Sequence, residues 1–183
     1  MEKKKEIAKY GKLIHEKELV IGSGGNISVK DNGKLIIKKK CADMSKGDIN
    51  DYLSISFKDA GKENDSLSSE TPMHLETYKA REDIQAIIHV HSPVMIAAAA
   101  KIDLLESPSY EFDCLIKKAV PVVDYLQPGS QQLAQAVADK FKAGANAVLM
   151  RRHGGVSIGK DLEEAYFRIL ALERACKTFL FSL

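Results

Sequence analysis

A chain of 183 residues with 45% hydrophobic and 28% charged residues can bury a core without staples, which excludes a disordered tail or a fibrous repeat. A formal charge of +2, with local runs only at Lys3-Lys4-Lys5 and Lys38-Lys39-Lys40, argues against a nucleic-acid partner. Three scattered cysteines, Cys41, Cys114 and Cys176, form no C-x-x-C pair, and no apolar run approaches the roughly 18 residues of a membrane span. A cytoplasmic setting without a signal peptide or membrane contact is expected.

Ile7, Tyr10, Leu13 and Ile14 recur at helical spacing and predict a helix over about 2–19, stopped by Gly22-Ser23-Gly24-Gly25. Residues 26–30 and 34–39 predict two strands joined at Asp31-Asn32-Gly33, where Asn-Gly marks a hairpin. A third, alternating strand is predicted over 53–57, then a polar loop over 58–69. Thr71 as N-cap and Pro72 at the first helical position predict a helix to about Arg81.

The next strand carries Ala86 to His91, and Ser92-Pro93 repeats the helix-start signal for 94–100. No single period organises 103–118. Val120-Pro121-Val122-Val123 predicts an edge strand, because proline cannot donate to a ladder. Ser130 caps a helix with Leu133, Val137 and Phe141 on one face, ending near Gly144. Residues 147–150 and 156–158 predict short strands around His153, and Asp161 with Glu164 opens a final helix to about Leu180. Together these elements predict an α/β fold: one three-layer αβα domain over 1–183, its central sheet mixed or antiparallel and flanked by helices.

The chemistry concentrates in a few segments. In His89-Val90-His91 the side chains are two apart, so a strand projects both imidazoles to one side. His153, in Met150-Arg151-Arg152-His153-Gly154-Gly155, is a third candidate, and its two glycines permit a tight turn. Three neutral imidazoles suit Zn²⁺ with one position left open, and other divalent first-row metals also fit. A hydrogen-bonded core histidine beside an exposed one is the plain alternative.

Glu70, in Ser68-Ser69-Glu70 ahead of a helix, could serve a metal as ligand or general base, or could belong to helix-start chemistry alone. The loop before Asn26 could present N–H groups to a phosphate. It is no Walker loop, since no Gly-Lys-Ser/Thr follows and it joins a helix to a strand.

In order and spacing, Gly24-Gly25-Asn26-Ile27-Ser28, Ser68-Ser69-Glu70, His89-Val90-His91-Ser92, His153-Gly154 and a last helix with Glu163-Glu164-Ala165 and Glu173 resemble one family. It is the class II aldolase/adducin-like family, the group of fuculose-phosphate aldolases and ribulose-phosphate epimerases. The resemblance implies a class II aldolase-like fold and a zinc site formed by His89, His91 and His153. It implies that Glu70 is an acid/base that doubles as a resting fourth ligand, where the epimerases have aspartate. It further implies phosphate binding by Asn26, Ser68 and Ser69, with Ser23 and Gly25 lining the same loop.

By the same resemblance, Tyr110 protonates an aldehyde oxygen from a neighbouring subunit, His74 gives structural support, and the enzyme is a C4 homotetramer. The implied reaction is reversible cleavage of a ketose 1-phosphate, a small phosphorylated sugar, to dihydroxyacetone phosphate and an aldehyde through a metal-stabilised enediolate.

One stretch departs from the family. Where many relatives have Thr-Pro-Ser/Thr-Gly, this chain has Ile37-Lys38-Lys39-Lys40-Cys41. The lysines are expected to reach a different anion or to protect an exposed strand edge. Dehydratase chemistry with Glu111 as acid/base, epimerisation and decarboxylation would use the same metal site. A non-catalytic adducin-like binding protein fits less well, because the histidines and Glu70 are all present.

Overall fold

The computed structural model describes residues 1–62, 64–107 and 109–183. Its strands are β1 (Asn26–Asp31), β2 (Lys34–Lys38), β3 (Tyr52–Ser56), β4 (Ala86–Val90), β5 (Leu104–Leu105), β6 (Val120–Val123), β7 (Ala147–Met150) and β8 (Gly154–Gly159). They form one sheet in the order β3-β2-β1-β4-β8-β7-β6-β5. Only the β6–β7 pair is parallel among the described residues, so the sheet is mixed. The β1–β2 hairpin closes as its sequence predicts. Asp31 faces Lys34, and Asn32 and Gly33 both take positive φ, the two-residue turn that matches strand twist.

Seven α-helices cover the two faces among the described residues: α1 (Glu2–Glu16), α2 (Phe57–Ala60), α3 (Thr71–Ala80), α4 (Pro93–Ala99), α5 (Tyr110–Leu115), α6 (Gln131–Lys142) and α7 (Leu162–Phe181). Alternation along the strands divides the core in two. Ile27, Val29, Ile36, Ile88, Val90 and Leu149 pack under α1, α4, α5 and α7. Leu35, Ile37, Ile87, Val148, Val156 and Ile158 pack under α3 and α6. Each large apolar side chain fully buried here contributes roughly 1.5–3 kcal/mol. The central strands β4 and β8 are therefore firmly held, and the chemistry-bearing residues stand at their ends. This is the α/β three-layer arrangement that the patterning predicts.

Several local expectations are corrected. Helix α1 ends at Glu16, not near Leu19, because Glu18 turns the chain with φ 57° before the glycines are reached. Thr71 is the first helical residue and not the N-cap. Glu70 occupies the cap position without a side-chain capping bond, while Thr71 Oγ1 donates to Ser68 O at 2.7 Å. Ser68 closes this turn, so the Glu70 carboxylate is left for other work. Phe57 leaves the third strand for α2, whose cap is Ser56.

The strand at 120–123 is not an edge. β5, from the segment without a clear period, pairs outside it, and Val122 N–H donates to Asp103 O at 3.0 Å. Pro121 is tolerated because the β7 pairing begins one residue later, with Val122 opposite Leu149. Among the described residues no helix is long and apolar enough to cross a membrane, and all three cysteines are free.

Packing between α1 and β3 yields a sharp test. A Cβ on Gly11 would lie 2.3 Å from the Tyr52 hydroxyl, which is buried without a hydrogen-bond partner. Gly11→Ala is expected to destabilise the fold by about 1–3 kcal/mol, although alanine is the better helix former. Tyr52→Phe alone should be neutral or stabilising and should recover part of that loss in the double variant. Urea midpoints of the four proteins check this.

Candidate active site

His89 lies on the α3-facing side of β4, directly opposite Asn26 of β1 and Val156 of β8. Its ring is fully buried, and Nδ1 donates to Gly155 O at 3.0 Å. A carbonyl can only accept, so the proton is on Nδ1 and the lone pair on Nε2. His91, one residue beyond the strand, brings its own Nε2 to 2.9 Å from that lone pair. His153 completes the group from the β7–β8 turn. The three rings offer nitrogens within 4.8 Å of one another.

Two nitrogens on a tetrahedral ion with ~2.0 Å bonds lie roughly 3.3 Å apart, so the pair is near ligand spacing. The turn that delivers His153 depends on Gly154, at φ 148°, where a Cβ would lie 2.0 Å from Val90 O. No other residue lets β8 start this close to the end of β4.

Glu70 faces the cluster from the N-terminal end of α3, its Oε1 3.9 Å from His153 Nε2. Burial pushes the Glu70 carboxyl up to about 6, against a smaller opposing effect of the Gly129 backbone N–H. Burial holds His153 down to about 4, with His91 adding to the effect. Glu70 thus ionises only above about pH 6, where His153 is already neutral, and the two form no ion pair. Burial also depresses His91, helped by the Lys38 charge, and depresses His89, helped by His153 and His91.

Neutral imidazoles are the ligand form. Glu70 Oε2 and His153 Nδ1 are both buried without a partner, and each such atom costs about 1–3 kcal/mol. Convergent lone pairs, a carbonyl that fixes the His89 tautomer and an unpartnered carboxylate oxygen fit a divalent first-row cation.

A cavity of about 340 Å³ opens onto this cluster, lined by Ser23, Gly25, Asn26, Ser68, Ser69, Glu70, His91 and His153 among others. Every proposed anion-binding residue therefore shares one space with His91 and His153. The Asn26 amide is held in a buried chain: it donates to Ser68 Oγ at 3.2 Å, and its carbonyl meets His74 Nε2. His74 Nδ1 in turn meets Ser28 Oγ at 2.6 Å, and Ser28 Oγ meets Tyr78 OH at 3.0 Å. His74 thus ties α3 to β1 and stands behind the Asn26 amide. Gly25, at φ 63°, lets the loop press on His89 O and Val20, where a Cβ would lie under 3 Å from each.

Lys38 corrects the expectation of an exposed strand edge. It is 2% exposed on an interior strand, lines the same cavity, and donates to Ser23 O at 2.9 Å and Ala42 O at 2.8 Å. Burial lowers its pKa. Lys40 and Cys41, from the stretch that departs from the family pattern, also line the cavity, as does Pro128, which carried no sequence signal. Tyr110 begins α5, is 80% exposed, and does not line this cavity of its own chain. Glu111 beside it is exposed as well.

The family model for the class II aldolase and adducin N-terminal domain matches residues 5–180. L-Fuculose phosphate aldolase of Methanocaldococcus jannaschii is 31% identical over 180 residues, covering 98% of this chain and 97% of that protein. 3-Oxo-tetronate 4-phosphate decarboxylase of Haemophilus influenzae is 25% identical over 182 residues, covering 96% and 86%. The structure of L-fuculose-1-phosphate aldolase from Thermus thermophilus superposes with a TM-score of 0.88 at 24% identity, covering 96% and 91%, and so shares the fold.

The class that these features define is a lyase of α/β fold with a histidine cluster that could hold a metal ion. The chain belongs to the class II aldolase and adducin family.

Proposed function

We propose that the protein is a zinc-dependent aldolase that reversibly cleaves a ketose 1-phosphate, fuculose-1-phosphate-like, to dihydroxyacetone phosphate and a small aldehyde. Glu70 carries this reading: a buried carboxyl raised to about 6, 3.9 Å from His153, in the cavity that His91 and His153 also line. That is the placement and proton affinity of a general base working near neutral pH. Zinc held by His89, His91 and His153 would polarise the substrate carbonyl and stabilise the charge that develops as the carbon–carbon bond breaks.

Glu70 moves the proton to and from the carbon beside that carbonyl. The Asn26 amide, the Ser68 and Ser69 hydroxyls and the loop of Ser23 and Gly25 orient the phosphate. Tyr110, exposed on its own chain, serves a neighbour's site in a C4 tetramer, where it relays away the hydroxyl proton as the aldehyde forms in cleavage and returns it to the aldehyde oxygen in condensation. The free thiols fit a reducing cytoplasm.

A second reading, decarboxylation of a phosphorylated keto-acid, draws on the similarity to the Haemophilus influenzae decarboxylase. Lys38 and Lys40 on the cavity wall favour it, because they suit a substrate with a second anionic group.

Proton NMR of the zinc-loaded protein with dihydroxyacetone phosphate in D₂O separates the two. Stereospecific loss of one hydroxymethyl proton is the expected aldolase result. A folded, fully metallated protein that exchanges nothing would overturn it and move the keto-acid substrates forward.

A further inference from the structure

The three histidines are not held alike. His89 is fully buried and pinned through Nδ1 to Gly155 O. His91 stands past the end of β4, partly exposed. Among the described residues, the one hydrogen-bonding contact of its ring is to His89 itself. The substrate-side cavity borders it on one side. On another lies a second cavity of about 500 Å³, lined by His91, Val20, Ile21, Val94, Glu173 and Lys177 among others. The ring meets the other two imidazoles of the cluster, with centroids 4.7 and 5.1 Å away, and between two spaces its direction depends largely on its backbone.

That backbone is tied at two points. His91 N–H donates to Leu19 O at 3.1 Å. The next residue, Ser92, caps α4 by accepting from Val94 N–H at 3.1 Å and Met95 N–H at 3.3 Å. The single proton of the Ser92 hydroxyl goes to Glu173 Oε2 at 2.5 Å, across to the middle of α7. Both residues are buried, and the other Glu173 oxygen meets Lys177 Nζ at 3.2 Å. A short hydrogen bond to a carboxylate is among the stronger neutral-to-charged contacts a fold can make. It joins the longest helix to the corner that aims His91.

We propose that Glu173 is a positioning residue for the metal centre: through Ser92 it fixes the corner after β4 and so points His91 Nε2 at the site shared with His89 and His153. The inference rests on the cluster holding a divalent first-row cation, and it is independent of which carbon–carbon bond the enzyme cleaves.

The test uses the full chain with Zn²⁺ and Co²⁺ alone. Zinc affinity is read by chelator competition, ligand geometry by the visible absorption of the cobalt form, and fold by the urea midpoint without metal. Glu173→Ala is expected to weaken zinc binding by about 10–100-fold, as loss of an outer support typically does, and to alter the cobalt bands. Glu173→Gln, whose amide oxygen still accepts from Ser92, should restore both. Lys177→Met should leave both unchanged. If Glu173→Ala fails to fold, Glu173→Leu, of similar volume and unable to accept from Ser92, cuts the same bond while leaving the Ser92 cap of α4 intact and is read the same way.

Wild-type affinity and cobalt spectrum in the Glu173 variant that cuts the bond would overturn the proposal, even where the urea midpoint falls. So would equal losses in the alanine and glutamine variants. A wild-type protein that binds neither ion would overturn the metal centre and this proposal together, whereas failure of the exchange reaction alone would leave the proposal standing.

Discussion

His89→Ala is expected to weaken zinc binding by about 10²–10³-fold and to abolish turnover that depends on it. Sites of four ligands hold zinc with about 10–16 kcal/mol, so one ligand is worth about 2.5–4 kcal/mol on equal division, which is the stated factor. His89 is also a structural group: it is fully buried and satisfies Gly155 O. Its loss removes that hydrogen bond and leaves a cavity on the α3-facing side of β4, so the metal-free fold should weaken by a few kcal/mol as well.

His91→Ala separates the two effects. Its ring is partly exposed and supports no backbone group among the described residues, so a similar loss of zinc should come with a smaller loss of stability. Competition with a chromogenic chelator and urea unfolding of the metal-free proteins measure the pair. Undiminished zinc binding by both variants would remove the histidine cluster from the metal centre.

Much of this site was legible because a strand imposes a period of two. His89 and His91 could be placed on one side from spacing alone, and Gly154-Gly155 announced the close turn that brings His153 to them. The hairpin at Asn32-Gly33 was equally readable, since those residue types favour the positive φ that the turn requires.

Lys38 was hidden for a physical reason. A run of three lysines looks like a solvated surface, and its first member is buried only because the chain doubles back to offer the carbonyls of Ser23 and Ala42. Neither contact leaves a pattern near Lys38. The strand at 120–123 was misplaced because its covering strand β5 is two residues long and comes from a segment without periodicity. Glu70 was readable as a candidate acid/base, but its residue pattern fitted a helix start equally well. Its independence became visible only once Ser68 was seen to hold the turn in its place.

That independence leads to the other large effect. Glu70→Gln should keep zinc affinity within about tenfold and lower the rate of proton exchange on dihydroxyacetone phosphate by about 10²–10⁴-fold, the usual worth of a general base. Glutamine has nearly the same shape and, when neutral, suits the buried position better than a carboxylate does. The fold should therefore be unharmed, and the urea midpoint unchanged or raised. What glutamine lacks is a basic oxygen where Glu70 Oε2 lies buried and unpartnered. The three imidazoles cannot substitute, because burial has lowered their proton affinity and a bound cation would occupy their lone pairs.

The decisive comparison is exchange rate against bound metal in one sample. Full exchange by a metallated Glu70→Gln protein would take the carboxyl out of the proton-transfer step and leave it, at most, a support for the cation. Loss of exchange together with loss of zinc would assign Glu70 to the metal first and to the proton second. Loss of exchange with zinc retained would place the base at the N-terminal end of α3, in the cavity that also holds Asn26, Ser68 and Ser69.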